Sequence, residues 1–582
     1  MHRIAWSAHW LSLSKRLPNK LALSNGQGEN LSFQELCNQV HHVARYFQSR
    51  GCRHGDRIAT LLPNILPAVW MSHGLRVAGL CEVALGWGQT DEELQWCKQL
   101  ASVDTIVSTP EQFQRLKALG WDVLNLPQTA QAEIDAANES EGFEGVDGSV
   151  WARLMFTSGT TGKTKAVVYD HRSRWQGELL QKSEFPFKPR PGDQVVLMTP
   201  FVHGAGLIAS AWMDYGAEVV LLQGVDLNTL RQVIGQKRVK AIFAPPTVLA
   251  KLVAAFESEP IEPIACVFTG TQALSENLYL RSRRIFGDVI RITYGKTECV
   301  NPITILPAWE TAQGLADGLK LGGACVGWPA PGVEISIGSP RLPDRQKDDE
   351  PDNDSPAQIW IRASHMSVGM ITTEGYKAHE PDGWHATGDL GFIDNLGRLF
   401  LSGRMADVIK TGGYRVNPDE IETLLAAVPG VPHLAITALP SEYWGEIIVA
   451  VGEMPKARDP SESQMLPQVP DDMASTQHWV EACQARVLTL SAFKRPRLFL
   501  ELEQLPRNAQ GKISRKAVTE ALLKRYRLLD GPYPSVEERM PIKLKLHAKN
   551  GSLQWLKCYN SHNGRAGRWR LVLPTALQAL PK

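Results

Sequence analysis

Residues 154 to 165 read LMFTSGTTGKTK, and this stretch constrains the chain more than any other. A short apolar run, Leu154-Met155-Phe156, feeds residues 157 to 165, which are drawn only from Thr, Ser, Gly and Lys. A second apolar run, Ala166-Val167-Val168-Tyr169, follows directly. The pattern predicts two strands joined by a tethered loop, rather than a free polar surface segment. Such a loop suits a polyphosphate. The hydroxyls of Thr157, Ser158, Thr160, Thr161 and Thr164 can donate to phosphate oxygens. Gly159 and Gly162 let the main chain approach without a Cβ, and Lys163 and Lys165 add positive charge.

The loop is not of the Walker A type, G-x-x-x-x-G-K-[ST]. Counting back five places from Gly162 lands on Thr157, and the segment after Lys163 has the character of a strand rather than a helix. Further motifs follow along the chain. They are Phe201-Val202-His203-Gly204, Thr269-Gly270-Thr271-Gln272-Ala273-Leu274, Tyr294-Gly295-Lys296-Thr297-Glu298 and Gly383-Trp384-His385-Ala386-Thr387-Gly388-Asp389. Gly403-Arg404 with Asp407, Lys410-Thr411-Gly412-Gly413, Asn417-Pro418-Asp419-Glu420-Ile421-Glu422 and Pro506-Arg507-Asn508-Ala509-Gln510-Gly511-Lys512 complete the series. In this order, across residues 20 to 525, the set resembles the adenylate-forming (ANL) superfamily. Its members include acyl- and aryl-CoA synthetases, the adenylation domains of peptide synthetases, and luciferases. Two departures from its pattern stand out. Thr271 replaces the second glycine of the G-G-A-x-L turn, and Ala406 stands where the interdomain hinge is usually Asp or Lys.

The resemblance implies an α/β fold: a large N-terminal α/β domain (1–404) and a small, mobile α+β C-terminal domain (405–527), followed by a basic tail (528–582). It implies ATP-dependent activation of a carboxylic acid, fatty or aromatic, to an acyl-AMP, followed by transfer to coenzyme A, with Mg²⁺ as cofactor. In that scheme Lys512 bridges the carboxylate and the α-phosphate, as a point charge can. Glu298 and Thr161 hold Mg²⁺, which takes few protein carboxylates and leans on substrate phosphates. The loop Thr157, Ser158, Gly159, Thr160, Thr161, Gly162, Lys163 and Lys165 takes the phosphates. Gly270, Thr271, Gln272, Tyr294, Gly295 and Thr297 surround adenine and the α-phosphate. Asp389 and Arg404 meet the ribose, His203 lines the acyl site, and Lys410, Gly412 and Gly413 form the face used for the thiol step. An acyl carrier protein is the alternative acceptor, and a stand-alone acyl-AMP ligase the alternative activity.

The rest of the chain is consistent with a soluble enzyme. At 582 residues it exceeds what one core can organise, and a net charge of +1 gives no general reason to expect a nucleic-acid partner. Nine cysteines without a C-x-x-C pair point to free thiols in a reducing compartment, and the expected location is the cytoplasm. No apolar run reaches the length of a membrane span. Residues 1 to 28 lack Asp and Glu, as an organelle presequence does, but a helix packed on the first domain is the preferred reading. Ser32 to Glu35 has the form of a capping box opening a helix through Gln48, and Asp56 to Leu62 of a buried strand. Residues 341 to 356 and 455 to 477 are polar and read as surface loops. The tail from Arg539 to Lys582 carries Asn550-Gly551 and Asn563-Gly564, both hairpin signals, and has no acidic residue; a small β appendage is expected, with a basic anchoring arm as the alternative.

One segment imitates a different enzyme. Val195 to Met198, Gly204-x-Gly206-x-x-Ala209, a second strand at Glu218 to Leu222 and then Asp226 mimic a dinucleotide fingerprint, which would make the chain an NAD-binding oxidoreductase. Pro200-Phe201-Val202-His203 lies between the strand and the first glycine, where that fingerprint wants a tight turn. Within the superfamily, Val202 and His203 offer no carboxylate for an α-ammonium group, and no G-x-S carrier site follows. A non-amino carboxylic acid is therefore expected.

Overall fold

The buried apolar runs become two large sheets, whose strands sit where the continuous apolar stretches fall. The computed structural model describes residues 3–125, 143–157, 164–257, 261, 264–340, 356–380, 383–426, 428, 433–453, 476–507 and 512–538. In the first sheet, Leu21–Ser24, Glu218–Leu221, Gln194–Leu197, Val239–Phe243, Cys266–Gly270 and Ile290–Tyr294 run parallel in that spatial order. Antiparallel strands Thr304–Leu306, Ala324–Pro329, Leu399–Arg404 and His385–Ile393 extend it. In the second sheet, Asp122–Asn125, Thr105–Ser108, Arg57–Leu61, Cys81–Leu85 and Trp151–Thr157 are parallel. Lys165–Asp170 then turns back antiparallel. Parallel strands need both faces covered, and helices supply the cover. Phe33–Ser49 opens with the expected capping box, in which Ser32 accepts from the Glu35 N–H. It packs on Leu66–Val77 through Val40, Val43, Ala44 and Phe47.

The N-terminal segment is a helix, Trp6–Arg16, packed on the domain as expected. Its Trp6 donates to His171 Nδ1 at 3.0 Å, and Trp10 meets the His73 ring at 4.7 Å between centroids.

A smaller sheet follows Arg404. Tyr414–Val416, Ile409–Thr411, Gly445–Glu453 and Leu434–Ser441 are antiparallel neighbours, and Leu498–Leu502 runs parallel to Gly445–Glu453. Helices Pro418–Leu425 and Thr476–Val487 cover one face, and Arg515–Arg525 the other, each over its own apolar cluster. Strands Tyr526–Leu529 and Ser535–Glu538 pair with each other. Asp530 accepts from Ser441 Oγ at 2.6 Å and from the Glu442 N–H at 2.5 Å, which ties this segment to the turn 441–443. The architecture is thus mixed α/β, with a large N-terminal part and a smaller C-terminal one. Met1–Glu537 form one compact unit and Glu538–Lys582 a second. The tail from Arg539 onward lies outside the described residues, as does nearly all of both polar stretches, 341–355 and 454–475.

The imitation fingerprint resolves into something else. Gln194–Leu197 and Glu218–Leu221 are adjacent parallel strands, so the βαβ reading of this stretch is correct. The connection is not a tight glycine turn, however. It runs through a wide turn at Phe201–Ala205, whose Phe201 N–H donates to Asn64 Oδ1 at 2.8 Å. Asp226 is spent capping the helix Leu227–Gly235, accepting from the Asn228 and Thr229 N–H groups. Its second oxygen accepts from Thr229 Oγ1 at 2.6 Å and Gln27 Nε2 at 3.2 Å, so the carboxylate is engaged on both sides among the described residues.

Candidate active site

Cys266–Gly270 and Ile290–Tyr294 are parallel neighbours and end side by side. In an open α/β sheet, ligands bind in the crevice beyond such carboxyl ends. Two glycines let the chain pass there without steric conflict. A Cβ on Gly270 would lie 2.3 Å from the Thr293 carbonyl oxygen, and one on Gly295 2.1 Å from Asn301 Oδ1. Thr271 takes a left-handed backbone with φ of +68°, which a β-branched residue adopts only at a cost. It thus holds, under strain, the conformation that a second glycine would hold freely. Gln272 stands next to it, half-buried.

The hairpin stems are present as expected. Trp151–Thr157 and Lys165–Asp170 pair antiparallel with Thr157 opposite Lys165. Ser158, Gly159, Thr160, Thr161, Gly162 and Lys163 lie outside the described residues. The second stem also reaches the crevice through a residue that the motifs do not mark. Buried Tyr169 donates its hydroxyl to the Thr297 carbonyl at 2.6 Å and accepts from the Val300 N–H at 3.2 Å. The stem therefore pins the loop at Thr297 and the chain just beyond it at Val300. Glu298 is half-buried, and its carbonyl accepts from the Ser367 N–H at 2.9 Å.

Asp389 organises the crevice. Register places it directly opposite Arg404 in the pair His385–Ile393 and Leu399–Arg404. Tyr294 donates its hydroxyl to Asp389 Oδ2 at 2.5 Å, Lys296 Nζ lies 3.0 Å from the same oxygen, and Arg404 Nε lies 3.4 Å from Oδ1. Lys296 also donates to the Thr387 carbonyl at 2.6 Å. Burial and the Asp389 carboxylate push the Tyr294 phenol well above its ordinary value, so it stays a donor. Lys296 was missed in the sequence because it fills the variable place of Y-G-x-T-E. The available signal was its spacing of two from Tyr294, which sets both on one side of an extended chain.

Lys512 comes from the small sheet's lobe. The segment doubles back, with Arg507 bridging Ile513, and the Ser514 N–H donates to the Pro506 carbonyl at 2.9 Å. This brings the Lys512 amine within electrostatic reach of Arg404, Asp389 and Lys296. Burial, together with the two cations, lowers it to about 8, and Asp389 opposes the fall. Three cations thus gather around one carboxylate. The crevice carries an excess of positive charge before any ligand enters, which favours a polyanion.

Other expected residues are placed elsewhere. Lys410, Gly412 and Gly413 form the hairpin between Ile409–Thr411 and Tyr414–Val416. There the Gly412 N–H donates to the Trp444 carbonyl, and the Lys410 N–H to Glu446 Oε2 at 2.5 Å. His203 sits in the turn Phe201–Ala205, and its side chain lies outside the described residues. Ala406 stands in the short turn Met405–Asp407. The next residue is braced: Arg515 bonds Asp407 at 2.6 Å, Glu422 at 2.6 Å, and Asp419.

Comparison with known proteins identifies the fold and the family. The chain is 25% identical over 530 residues to the 4-chlorobenzoate–CoA ligase of an Arthrobacter species, covering 89% of this chain and 94% of that protein. It is 27% identical over 522 residues to the 2-succinylbenzoate–CoA ligase of Bacillus subtilis strain 168, covering 88% and 98%. Among solved structures, the o-succinylbenzoate CoA synthetase (MenE) of Bacillus subtilis with its acyl-adenylate intermediate OSB-AMP superposes with a TM-score of 0.72 at 24% identity, over 88% of this chain and 97% of that one. ATP-bound MatB from Rhodopseudomonas palustris gives 0.71 at 23% identity, over 89% and 99%. The sequence model of the AMP-binding enzyme family matches residues 12–370 of the 582. The chain belongs to this family of AMP-binding enzymes, within the adenylate-forming superfamily.

Proposed function

We propose that the chain is an acid–CoA ligase, which joins a non-amino carboxylic acid to AMP at the expense of ATP and then transfers the acyl group to coenzyme A. The observation that carries this reading is the position of Lys512, brought by the small lobe to the cations and the carboxylate of the crevice. The relatives named above, themselves acid–CoA ligases, support it.

The first step brings a carboxylate towards a polyphosphate, and like charges must be screened before attack. Lys512, Lys296 and Arg404 supply that screening. The hairpin loop, Thr157 to Lys165, takes the phosphates, Lys163 and Lys165 adding charge. Gly270, Thr271 and Gln272 border the adenine with Gly295, and Thr297 faces the α-phosphate. Tyr294 acts through Asp389. Asp389 would exchange its present partners for the ribose hydroxyls. Glu298, one carboxylate on a loop pinned by Tyr169 and Ser367, suits Mg²⁺, which is content with one or two protein carboxylates and substrate phosphates. Thr161 is its second candidate ligand. When bound, the ion would neutralise phosphate charge. His203, in the turn beside the sheet, would border the acyl group.

The chain divides at 404/405 and 527/528, and the small lobe pivots at Met405–Asp407, so that Lys410, Gly412 and Gly413 replace Lys512 for the thiol step. With Ala406 carrying no charge, the pivot relies on backbone and on the Arg515 brace. A carrier protein is the alternative acceptor. No helix among the described residues is long and apolar enough to cross a membrane, and the cytoplasm is the proposed location. The test is pyrophosphate release across a panel of carboxylic acids, with and without coenzyme A. Acid-dependent release and CoA-dependent thioester formation are expected. Release that ignores the acid would overturn the reading.

A further inference from the structure

The helix His171–Ser183 follows the second hairpin stem and packs on Gly206–Met213, the helix that follows the turn holding His203. A Cβ added at Gly177 would lie 3.5 Å from Val300 Cγ2 and 3.9 Å from Leu207 Cδ2. Leu180 packs on the cluster containing Tyr294, Cys299 and Ile303. One turn toward the N-terminus stands Arg174, only 6% exposed, its guanidinium carbon 5.8 Å from the centre of the Tyr169 ring. Among the described residues it has neither a hydrogen-bond acceptor nor an ion-pair partner.

The neighbouring carboxylates are already engaged. Arg153 takes Glu82 at 2.6 Å, and Arg76 takes Glu178 at 2.7 Å. Asp170 caps the helix, accepting from the Ser173 N–H at 2.7 Å, and Asp214 meets His9 and Lys182. His73, fully enclosed, is held neutral by burial and by the surrounding arginines. Three buried guanidinium groups therefore share two carboxylates. A buried cation without a counter-ion is expensive, and a planar fork of donors matches a carboxylate best. Arg174 lies over the face of the Tyr169 ring, and the hydroxyl at the edge of that ring reaches the Thr297 carbonyl, so one buried side chain links the guanidinium to the loop proposed to meet the α-phosphate.

We propose that Arg174 receives a second carboxylate, at the far end of the acid, and that the preferred substrates are dicarboxylic acids activated at one end. This rests on the acid-activating reading above. Sites built to bond a substrate's polar group discriminate strongly against analogues that lack it.

The test uses the full chain and matched pairs: adipate against hexanoate, suberate against octanoate, terephthalate against benzoate. Each is scored by kcat/KM for pyrophosphate release. A preference of at least ~100-fold for one or more of the dicarboxylates is expected. Arg174→Met should collapse that ratio and raise activity on the monoacid, with the KM for ATP unchanged and the melting temperature equal or higher. A wild-type preference for monoacids, or a ratio untouched by the substitution, overturns the proposal while leaving the ligase reading in place. If no acid of either kind releases pyrophosphate, the ligase reading falls and this proposal with it. Should the variant fail to fold, the wild-type ratio decides.

Discussion

Replacing Lys512 with alanine separates a chemical role from a structural one, because the structure makes the two predict opposite effects on stability. Without ligand, the Lys512 amine is partly stripped of water and lies within reach of Arg404 and Lys296, which Asp389 offsets only in part. Its fall from 10.5 to about 8 corresponds to ~3 kcal/mol held against the charged form. Removing the amine relieves that cost, so Lys512→Ala should leave the melting temperature unchanged or raise it. The same charge is needed where negative charge builds up, and loss of one such preorganised donor typically costs ~3–4 kcal/mol, or about 10²–10³ in rate. Acid-dependent ATP–pyrophosphate exchange should therefore drop by about that factor. Thioester formation from supplied acyl-AMP should be largely retained, since that step involves no attack on the α-phosphate. Equal loss in both half-reactions, or that loss together with a clear fall in melting temperature, would show that Lys512 serves the structure and not the attack on the α-phosphate.

A folded value for Lys512 below the unfolded 10.5 means that the unfolded chain binds more protons between pH 8 and 10.5, so this group makes stability rise with pH across that window. Activity should move the other way: kcat/KM for ATP should fall as pH passes about 8, and Lys512→Arg, charged throughout, should lack that limb. Gly413 has φ of +84° and no neighbour within reach of an added Cβ, so Gly413→Val should cost only about 1–2 kcal/mol of stability while slowing the thiol step and sparing adenylation, measured as separate half-reactions. Arg515→Met leaves Asp407, Asp419 and Glu422 facing one another without their cation, and should destabilise the chain by about 3–5 kcal/mol in denaturant unfolding, with Arg515→Lys recovering part.

What could be read from the residues was whatever the chemistry demands at a fixed backbone position. Gly270 and Gly295 border the crevice because a Cβ would strike the chain opposite, and such positions advertise themselves as motifs. Asp389 and Arg404 are 15 residues apart in sequence yet directly opposed across two strands, and both lay in recognisable segments. Lys296 was not legible in the same way. It occupies a place where the motif tolerates many residues, and only the fold shows it bonded to Asp389. Tyr169 and Arg174 were hidden for a different reason. The first sits in an apolar run and the second in a helix, and periodicity assigns both to packing. Their polar ends matter because of what tertiary structure sets beside them. Asp226 errs in the opposite direction. Its spacing imitates a ribose ligand, but a helix start twenty residues past a glycine turn needs a cap, and the carboxylate serves that need.

An acid–CoA ligase of this design requires the acid's own oxygen to attack the α-phosphate beside Lys512. Carrying ¹⁸O in the carboxylate tests it most directly, with mass spectrometry of the products after turnover with ATP and coenzyme A. One labelled oxygen in AMP is expected for each thioester made, with none in pyrophosphate. Label in pyrophosphate or inorganic phosphate, or unlabelled AMP beside labelled thioester alone, would contradict it.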